Sequence, residues 1–180
     1  MMRRITIAKW VLIGVAAAAL VWLAVHPRAR GPVKTGESAP GFTLARLPSG
    51  NLSLAEFKGQ VVVLNFWATW CPPCVMETPS LEKFATEMKS EGVTVLGVSV
   101  DENEQQLKQF IQQYHLSYPV ARDPSAALAN SYGTYKLPET YIIGRDGRVA
   151  DKIIGATNWT DPRMITFVKS LAGVKTQASR

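Results

Sequence analysis

The chain contains few residues of the types that commonly bind metal ions. Its 180 residues include two cysteines, Cys71 and Cys74, and two histidines, His26 and His115. A structural zinc site needs about four such ligands, and His26 stands far from the other three along the sequence. Zinc binding is therefore disfavoured, and we assign no metal ligand.

Most of the chain also lacks an excess of charge of either sign. The net charge of +6 comes from the first 34 residues, which hold six lysines and arginines and no acid. The remaining 146 residues carry 14 basic and 14 acidic side chains. Nucleic-acid binding requires a basic face that neutralises phosphates, so this balance argues against it. Internal repeats and low-complexity segments are absent as well.

The longest uncharged hydrophobic run lies near the N-terminus, from Trp10 to Val25. Sixteen helical residues span about 24 Å, and extending the helix back to Ile5 brings it close to the roughly 30 Å of bilayer hydrocarbon. Ala24 to Pro27 is a poor cleavage site, so we expect an uncleaved signal-anchor over residues 1–26; a cleaved signal peptide is the alternative. The chain would then cross the inner membrane once, contact lipid through this helix and place its main domain in the periplasm.

Periodic patterns divide the rest of the sequence. Prolines and glycines are concentrated in residues 27–40, which predicts a linker; residues 41–175 then form one domain, and residues 176–180 a tail. The predicted strands are 42–47, 52–54, 61–67, 93–100, 118–121, 140–143 and 149–154, and the predicted helices are 72–91, 104–114, 125–132 and 162–172. Strands that alternate with helices indicate an α/β fold in which a mixed β-sheet is sandwiched by helices.

The two cysteines, at the start of the helix predicted over 72–91, carry the strongest functional signal. Thiols at positions i and i+3 of a helical turn can close and reopen a disulfide, and the helix N-terminus stabilises the attacking thiolate. A purely structural disulfide would close too short a loop to stabilise the chain much. A Cu(I) site formed by both thiolates and assisted by Met76 is a further alternative. The spacing favours dithiol–disulfide exchange, with no cofactor besides the redox-active Cys71–Cys74 pair.

The stretch from Phe66 to Cys74, Phe-Trp-Ala-Thr-Trp-Cys-Pro-Pro-Cys, resembles the active site of the thioredoxin superfamily. More narrowly, about residues 36 to 174 resemble the membrane-tethered thiol–disulfide oxidoreductases of the TlpA, ResA and CcmG type. Glu77, Pro79 and the run Leu137-Pro138-Glu139-Thr140 also match that family. The resemblance implies a thioredoxin-like α/β fold with an N-terminal β-hairpin and a central helix–strand insertion at 104–121, preceded by one transmembrane helix.

The resemblance also implies roles for individual residues. Cys71 is expected to attack the client and Cys74 to resolve the mixed disulfide. Glu77 is expected to handle the proton, because Asn65 replaces the buried aspartate of thioredoxin. Pro138 is expected to be cis and to face the disulfide. The residues expected to contact the client are Trp70, Pro72, Pro73, Leu137 and Glu139; for Glu77 and Glu139 the alternative is a solvated surface position.

The two prolines between the cysteines bear on the direction of the reaction. Pro72 and Pro73 have no N–H group, which leaves the amide of Cys74 as the first-turn donor to the Cys71 sulfur. Strong oxidants stabilise their reduced form, so we expect a reductant instead. The resemblance implies apocytochrome c as client and a membrane thiol transporter as electron donor. Alternatives are reduction of copper-site cysteines during oxidase assembly and a Cu(I)-binding chaperone.

Overall fold

A computed structural model of the chain describes residues 31–173 and, before them, the single residue Val15. The predicted anchor, the first residues of the predicted linker and the predicted tail lie outside these described residues. None of the helices within 31–173 is long and apolar enough to cross a membrane.

Seven strands and four α-helices follow one another in nearly the predicted order. The strands are β1 (Thr43–Leu47), β2 (Asn51–Ser53), β3 (Val61–Trp67), β4 (Val93–Ser99), β5 (Val120–Arg122), β6 (Glu139–Ile143) and β7 (Val149–Ile154). The helices are α1 (Pro72–Met88), α2 (Glu104–Gln113), α3 (Ala127–Tyr132) and α4 (Pro162–Ala172), with short 3₁₀ turns at Leu54–Phe57 and Lys89–Glu91. Five starts differ from the prediction: those of β1, β2 and β6 by one residue, and those of β5 at Val120 and α3 at Ala127 by two.

The strands form one mixed sheet in the order β2-β1-β5-β4-β3-β6-β7. Strands β3, β4 and β5 are parallel, whereas β1 and β2 form the predicted antiparallel hairpin. Strand β6 runs antiparallel to β3, and β7 runs antiparallel to β6. The helix α2 and strand β5 supply the predicted insertion between β4 and the later elements. The thioredoxin-like α/β fold is thereby confirmed.

The central strand β3 is buried on both faces, which explains its continuous apolar sequence. Val61 and Val63 belong to the core under α1, α2 and α4, which also contains Phe84, Leu107 and Val168. Val62, Leu64 and Phe66 point the other way, into a second core with Leu128 and Tyr132 of α3. The two cores together place β3 in the middle of the fold, with helices on both sides.

The segment 31–40, predicted to be part of a linker, packs against the domain instead. The amide of Val33 donates to the carbonyl oxygen of Tyr132 at 3.0 Å, and the amide of Gly36 donates to that of Val149 at 2.8 Å. Val33 itself is buried in the second core. The prolines and glycines of this segment shape an ordered edge, so composition alone gave the wrong interpretation.

One edge of the sheet gathers the ends of several strands. The pairing registers align Trp67, Ser99 and Arg122 across β3, β4 and β5, and Glu139 of β6 pairs with Phe66, one residue before Trp67. Since β3, β4 and β5 are parallel, the loops that follow them leave from this edge, and the segment that precedes β6 enters there. The predicted catalytic residues lie at this edge.

Candidate active site

Cys71 and Cys74 are joined by a disulfide at the start of α1, with their Cα atoms 5.2 Å apart. Cys71 is the N-cap of the helix, and its sulfur accepts a hydrogen bond from the Cys74 amide at 3.3 Å. Pro72 and Pro73 occupy the first two helical positions and have no N–H group to offer. The predicted single donor to the Cys71 sulfur is confirmed.

Both cysteines of the disulfide are largely removed from solvent. Cys71 is 5% exposed and Cys74 is 2% exposed, because both belong to the core under α1. Their sequence neighbours Trp70 and Met76 are instead 65% and 73% exposed. Large exposed hydrophobic side chains often mark contact surfaces, so the apolar surface beside the disulfide is available to a protein client.

Glu77 lies one turn further along α1 than Cys74 and is buried, with an exposed fraction of 4%. Its carboxylate accepts hydrogen bonds from the side-chain amide of Asn65 at 2.9 Å, the backbone amide of Thr157 at 3.2 Å and the indole N–H of Trp159 at 3.3 Å. No ion pair among the described residues includes it. The solvated alternative for Glu77 is therefore wrong.

Burial has a direct consequence for the protonation of Glu77. Removal from water disfavours the charged form and raises the pKa of its carboxyl above the ordinary value, while the hydrogen bonds from Thr157, Asn65 and Trp159 partly oppose the rise. Residues three apart on a helix are neighbours, so this carboxyl stands beside Cys74. A carboxyl of raised pKa in that position can accept and return the proton of the resolving thiol.

Asn65 ties Glu77 to the opposite side of the site. One side-chain amide group donates both to Glu77 and, at 2.9 Å, to the hydroxyl oxygen of Thr140 on β6. Asn65 lies opposite Thr140 in the β3–β6 register. Asn65, which replaces the thioredoxin aspartate, is thus a neutral connector between the Glu77 carboxyl and the segment that follows Pro138.

The segment Leu137–Glu139 enters β6 at the same edge of the sheet. The peptide bond between Leu137 and Pro138 is cis, as predicted. Pro138 is buried, and its carbonyl oxygen accepts from the Gly155 amide at 2.8 Å. Leu137 is partly buried and packs against both cores. Because the next residue, Glu139, pairs with Phe66, Pro138 lies close to the end of β3 and the turn that leads to Cys71.

Glu139 is fully buried, so its solvated alternative is also wrong. Its carboxylate lies 2.7 Å from the ammonium of Lys152 on β7 and accepts from the Tyr141 hydroxyl at 2.7 Å. The backbone amide of Tyr135 donates to the same carboxylate at 3.4 Å. The Glu139 carboxylate therefore links Lys152 of β7 to the backbone of Tyr135, in the loop in front of Pro138.

Sequence reasoning missed two residues of the site. Trp159, which the sequence analysis did not assign to the site, is fully buried and donates to Glu77 from 82 residues away. Asp101 was not considered, although its carboxylate holds Thr69 in the turn that precedes Cys71. A polar residue directly after a buried strand parallel to β3 was the available signal, because such residues gather at one edge of a parallel sheet.

Comparisons with known proteins agree with this geometry. The sequence matches the Redoxin family over residues 34–167. The thiol-disulfide oxidoreductase ResA of Bacillus cereus is 37% identical over 123 residues, which cover 68% of this chain and 71% of that protein. ResA of Halalkalibacterium halodurans is 37% identical over 120 residues, which cover 67% of this chain and 68% of that protein.

A solved structure extends the likeness to the whole domain. It is described as a thiol:disulfide interchange protein DsbE from Chlorobium tepidum, and it superposes with a TM-score of 0.73 at 27% identity. The superposition covers 78% of this chain and 99% of that chain. The Cys-Pro-Pro-Cys disulfide, the fold and these relatives agree, and the chain belongs to the Redoxin family as a ResA-like thiol–disulfide oxidoreductase of the thioredoxin superfamily.

Proposed function

We propose that this chain is a membrane-anchored, periplasmic reductase that reduces disulfides in client proteins such as apocytochrome c, whose haem-attachment cysteines must be reduced. The observation that carries the proposal is the sparse stabilisation of the Cys71 sulfur. One backbone amide, that of Cys74, donates to it, and prolines fill the two preceding positions. A weakly stabilised thiolate favours the disulfide form of the enzyme and makes the dithiol a donor of electrons.

The reaction begins with the reduced enzyme. The Cys71 thiolate attacks one sulfur of the client disulfide, and the other client sulfur leaves as a thiolate. Cys74 then loses its proton to the neighbouring carboxylate of Glu77 and attacks the Cys71 sulfur. The second client sulfur leaves, the Cys71–Cys74 disulfide forms, and two electrons have passed from enzyme to client. Glu77 returns the proton to the client thiolate or to water.

The client is expected to bind across the apolar surface around the disulfide. Trp70 and Met76 are exposed on one side, and Tyr135, with an exposed fraction of 74%, lies in the loop that leads to Pro138. An extended client segment can pair with the backbone beside Pro138, as in other strand-addition complexes. Leu137 and the two prolines of the motif complete this surface, while Glu139 supports it from within the fold.

The N-terminal sequence supports the proposed location, and the reaction itself requires a source of electrons. The uncharged run from Trp10 to Val25 with basic flanks fits a signal-anchor, which would hold the domain beside periplasmic cytochrome assembly. Each catalytic cycle leaves an oxidised enzyme, so a membrane thiol transporter is required to re-reduce Cys71 and Cys74. A fusion of alkaline phosphatase after residue 173 tests the orientation, since that enzyme is active only when exported.

Trapping in native membranes tests the client. Cys74→Ala leaves the mixed disulfide on Cys71 unresolved, so bound clients can be identified by mass spectrometry. We expect apocytochrome c to be captured, with Cys71→Ala, Cys74→Ala as the control that captures nothing. Capture of copper-site proteins alone would indicate that the protein acts in oxidase assembly instead of cytochrome c maturation. Copper bound stoichiometrically by the Cys71–Cys74 protein, without any trapped client, would contradict the reductase proposal.

A further inference from the structure

The turn between β3 and α1 is held by a buried carboxylate that belongs to a different strand. Asp101 follows β4, is 1% exposed and lies 32 residues from Thr69 along the chain. Its carboxylate accepts the Thr69 amide at 3.0 Å and the Thr69 hydroxyl at 2.6 Å. Thr69 stands two residues before Cys71, so this contact fixes the backbone that presents the attacking sulfur.

The position of Asp101 is itself held from two sides. The hydroxyl of Ser99 donates to the carboxylate at 2.6 Å and accepts from the Asp101 amide at 3.0 Å. The Val100 amide donates to the carbonyl oxygen of Trp67 at 3.0 Å, which continues the β3–β4 pairing up to Asp101. The carboxylate is therefore fixed before any client binds, and Thr69 conforms to it.

No cation among the described residues forms an ion pair with this carboxylate. The ion pairs of the described residues do not include Asp101. The nearby Arg122 is engaged by Glu104, with a nitrogen–oxygen distance of 2.8 Å, and by the carbonyl oxygen of Glu102. The other carboxyl beside the disulfide is Glu77, on the far side in α1. The Cα atoms of Thr69 and Cys71 are at most about 7 Å apart, and the Asp101 carboxylate contacts Thr69, so an acidic side chain lies roughly 10 Å from Cys71.

We propose that Asp101 is a positioning residue of the exchange reaction, which fixes the turn before Cys71 and opposes formation of the Cys71 thiolate. The proposal rests on thiol–disulfide exchange itself and does not depend on the identity of the client. A like charge nearby disfavours an ionised thiol. A less stable thiolate makes the dithiol more reducing, which agrees with the direction inferred from the two prolines.

The test compares Asp101→Asn with Asp123→Asn in the chain of residues 1–180. Asp123 is a matched control, because it is 2% exposed, follows the next parallel strand and accepts a backbone amide, that of Ala129 at 2.9 Å. It stands one strand further from Cys71. The measurements are the alkylation rate of reduced Cys71 by iodoacetamide against pH, the reduction potential against glutathione, and the thermal midpoint.

For Asp101→Asn we expect the ionisation constant of the Cys71 thiol to rise about four- to sixteenfold, from Coulomb's law for charges roughly 10 Å apart at an effective dielectric near 20 to 40. The potential should become less negative. Asp123→Asn should lower the thermal midpoint without either change. Equal alkylation profiles and equal potentials for the two variants would reduce Asp101 to a structural residue.

A second pair of variants covers the case in which Asp101→Asn does not fold. Thr69→Val removes the hydroxyl that donates to Asp101 and keeps the side-chain shape, whereas Thr69→Ser keeps the hydroxyl. We expect Thr69→Val to change the alkylation profile of Cys71 and Thr69→Ser to retain that of the unaltered protein. Unchanged profiles in both variants would overturn the positioning role.

Discussion

Glu77 and Glu139 are both buried at the active edge of the sheet, but their carboxylates have different partners. Glu77 accepts from neutral donors alone, those of Asn65, Thr157 and Trp159. Glu139 is paired with the ammonium of Lys152. Glu77 has no cationic partner among the described residues, so burial disfavours its charged form, whereas Lys152 supplies a cationic partner for the buried Glu139. This difference is why we propose a role in proton transfer for Glu77 and a structural role for Glu139.

The largest expected effect comes from breaking the ion pair. Lys152→Met leaves the Glu139 carboxylate buried without its cation, and we expect a loss of about 2 to 3 kcal/mol in the free energy of unfolding. Urea denaturation measures it. Adding Glu139→Gln in the same chain should recover part of the loss, because the buried charge is then removed as well. A double variant as unstable as the single one would contradict the pairing.

The next effect concerns the rate of exchange. Glu77→Gln keeps the shape of the side chain but removes its ability to take the Cys74 proton, so we expect disulfide reduction to slow about ten- to a hundredfold. Stopped-flow kinetics with a disulfide-bonded peptide measures the rate. Glu87→Gln is the control, since Glu87 is exposed on the same helix. Equal rates for the two variants would remove Glu77 from proton transfer.

The free energy of unfolding should also depend on the protonation of Glu77. Burial raises the pKa of Glu77 in the folded state, so the folded protein binds this proton more tightly than the unfolded chain does. The corresponding stability is fully present below the unfolded pKa and is lost as pH rises through the raised folded pKa. Across that window the unaltered protein should lose stability relative to Glu77→Gln in urea titrations. A constant difference between them would contradict the raised pKa.

The smallest expected effect comes from removing one of the neutral hydrogen-bond donors to Glu77. Asn65→Leu removes one hydrogen bond that stabilises the Glu77 carboxylate, so its pKa should rise further, by about one unit or less. In a plot of exchange rate against pH, the fall in rate at low pH should then begin at a higher pH. Thr140→Val, which removes the other acceptor of the Asn65 amide, serves as the matched control and should leave the pH of that fall unchanged.

Much of the fold and part of the site could be predicted from local patterns. Three features depend on residues that are close together in sequence. They are the buried strand Val61–Trp67, the helix capped by Cys71 and the single amide that donates to the Cys71 sulfur. The cis peptide before Pro138 came from family resemblance and is confirmed. The role of the segment 31–40 was mistaken, since its contacts with Tyr132 and Val149 come from distant elements.

The sequence by itself determined the chemistry of the site, because spacing on a helix decides that Cys71 and Cys74 meet and that prolines withhold donors between them. Tertiary structure alone decided which carboxyls are buried and what each one contacts. Trp159 reaches Glu77 across 82 residues, and Asp101 reaches Thr69 across 32. Such contacts depend on the order of strands in the sheet, which brings distant loops to one edge, and no local pattern records them.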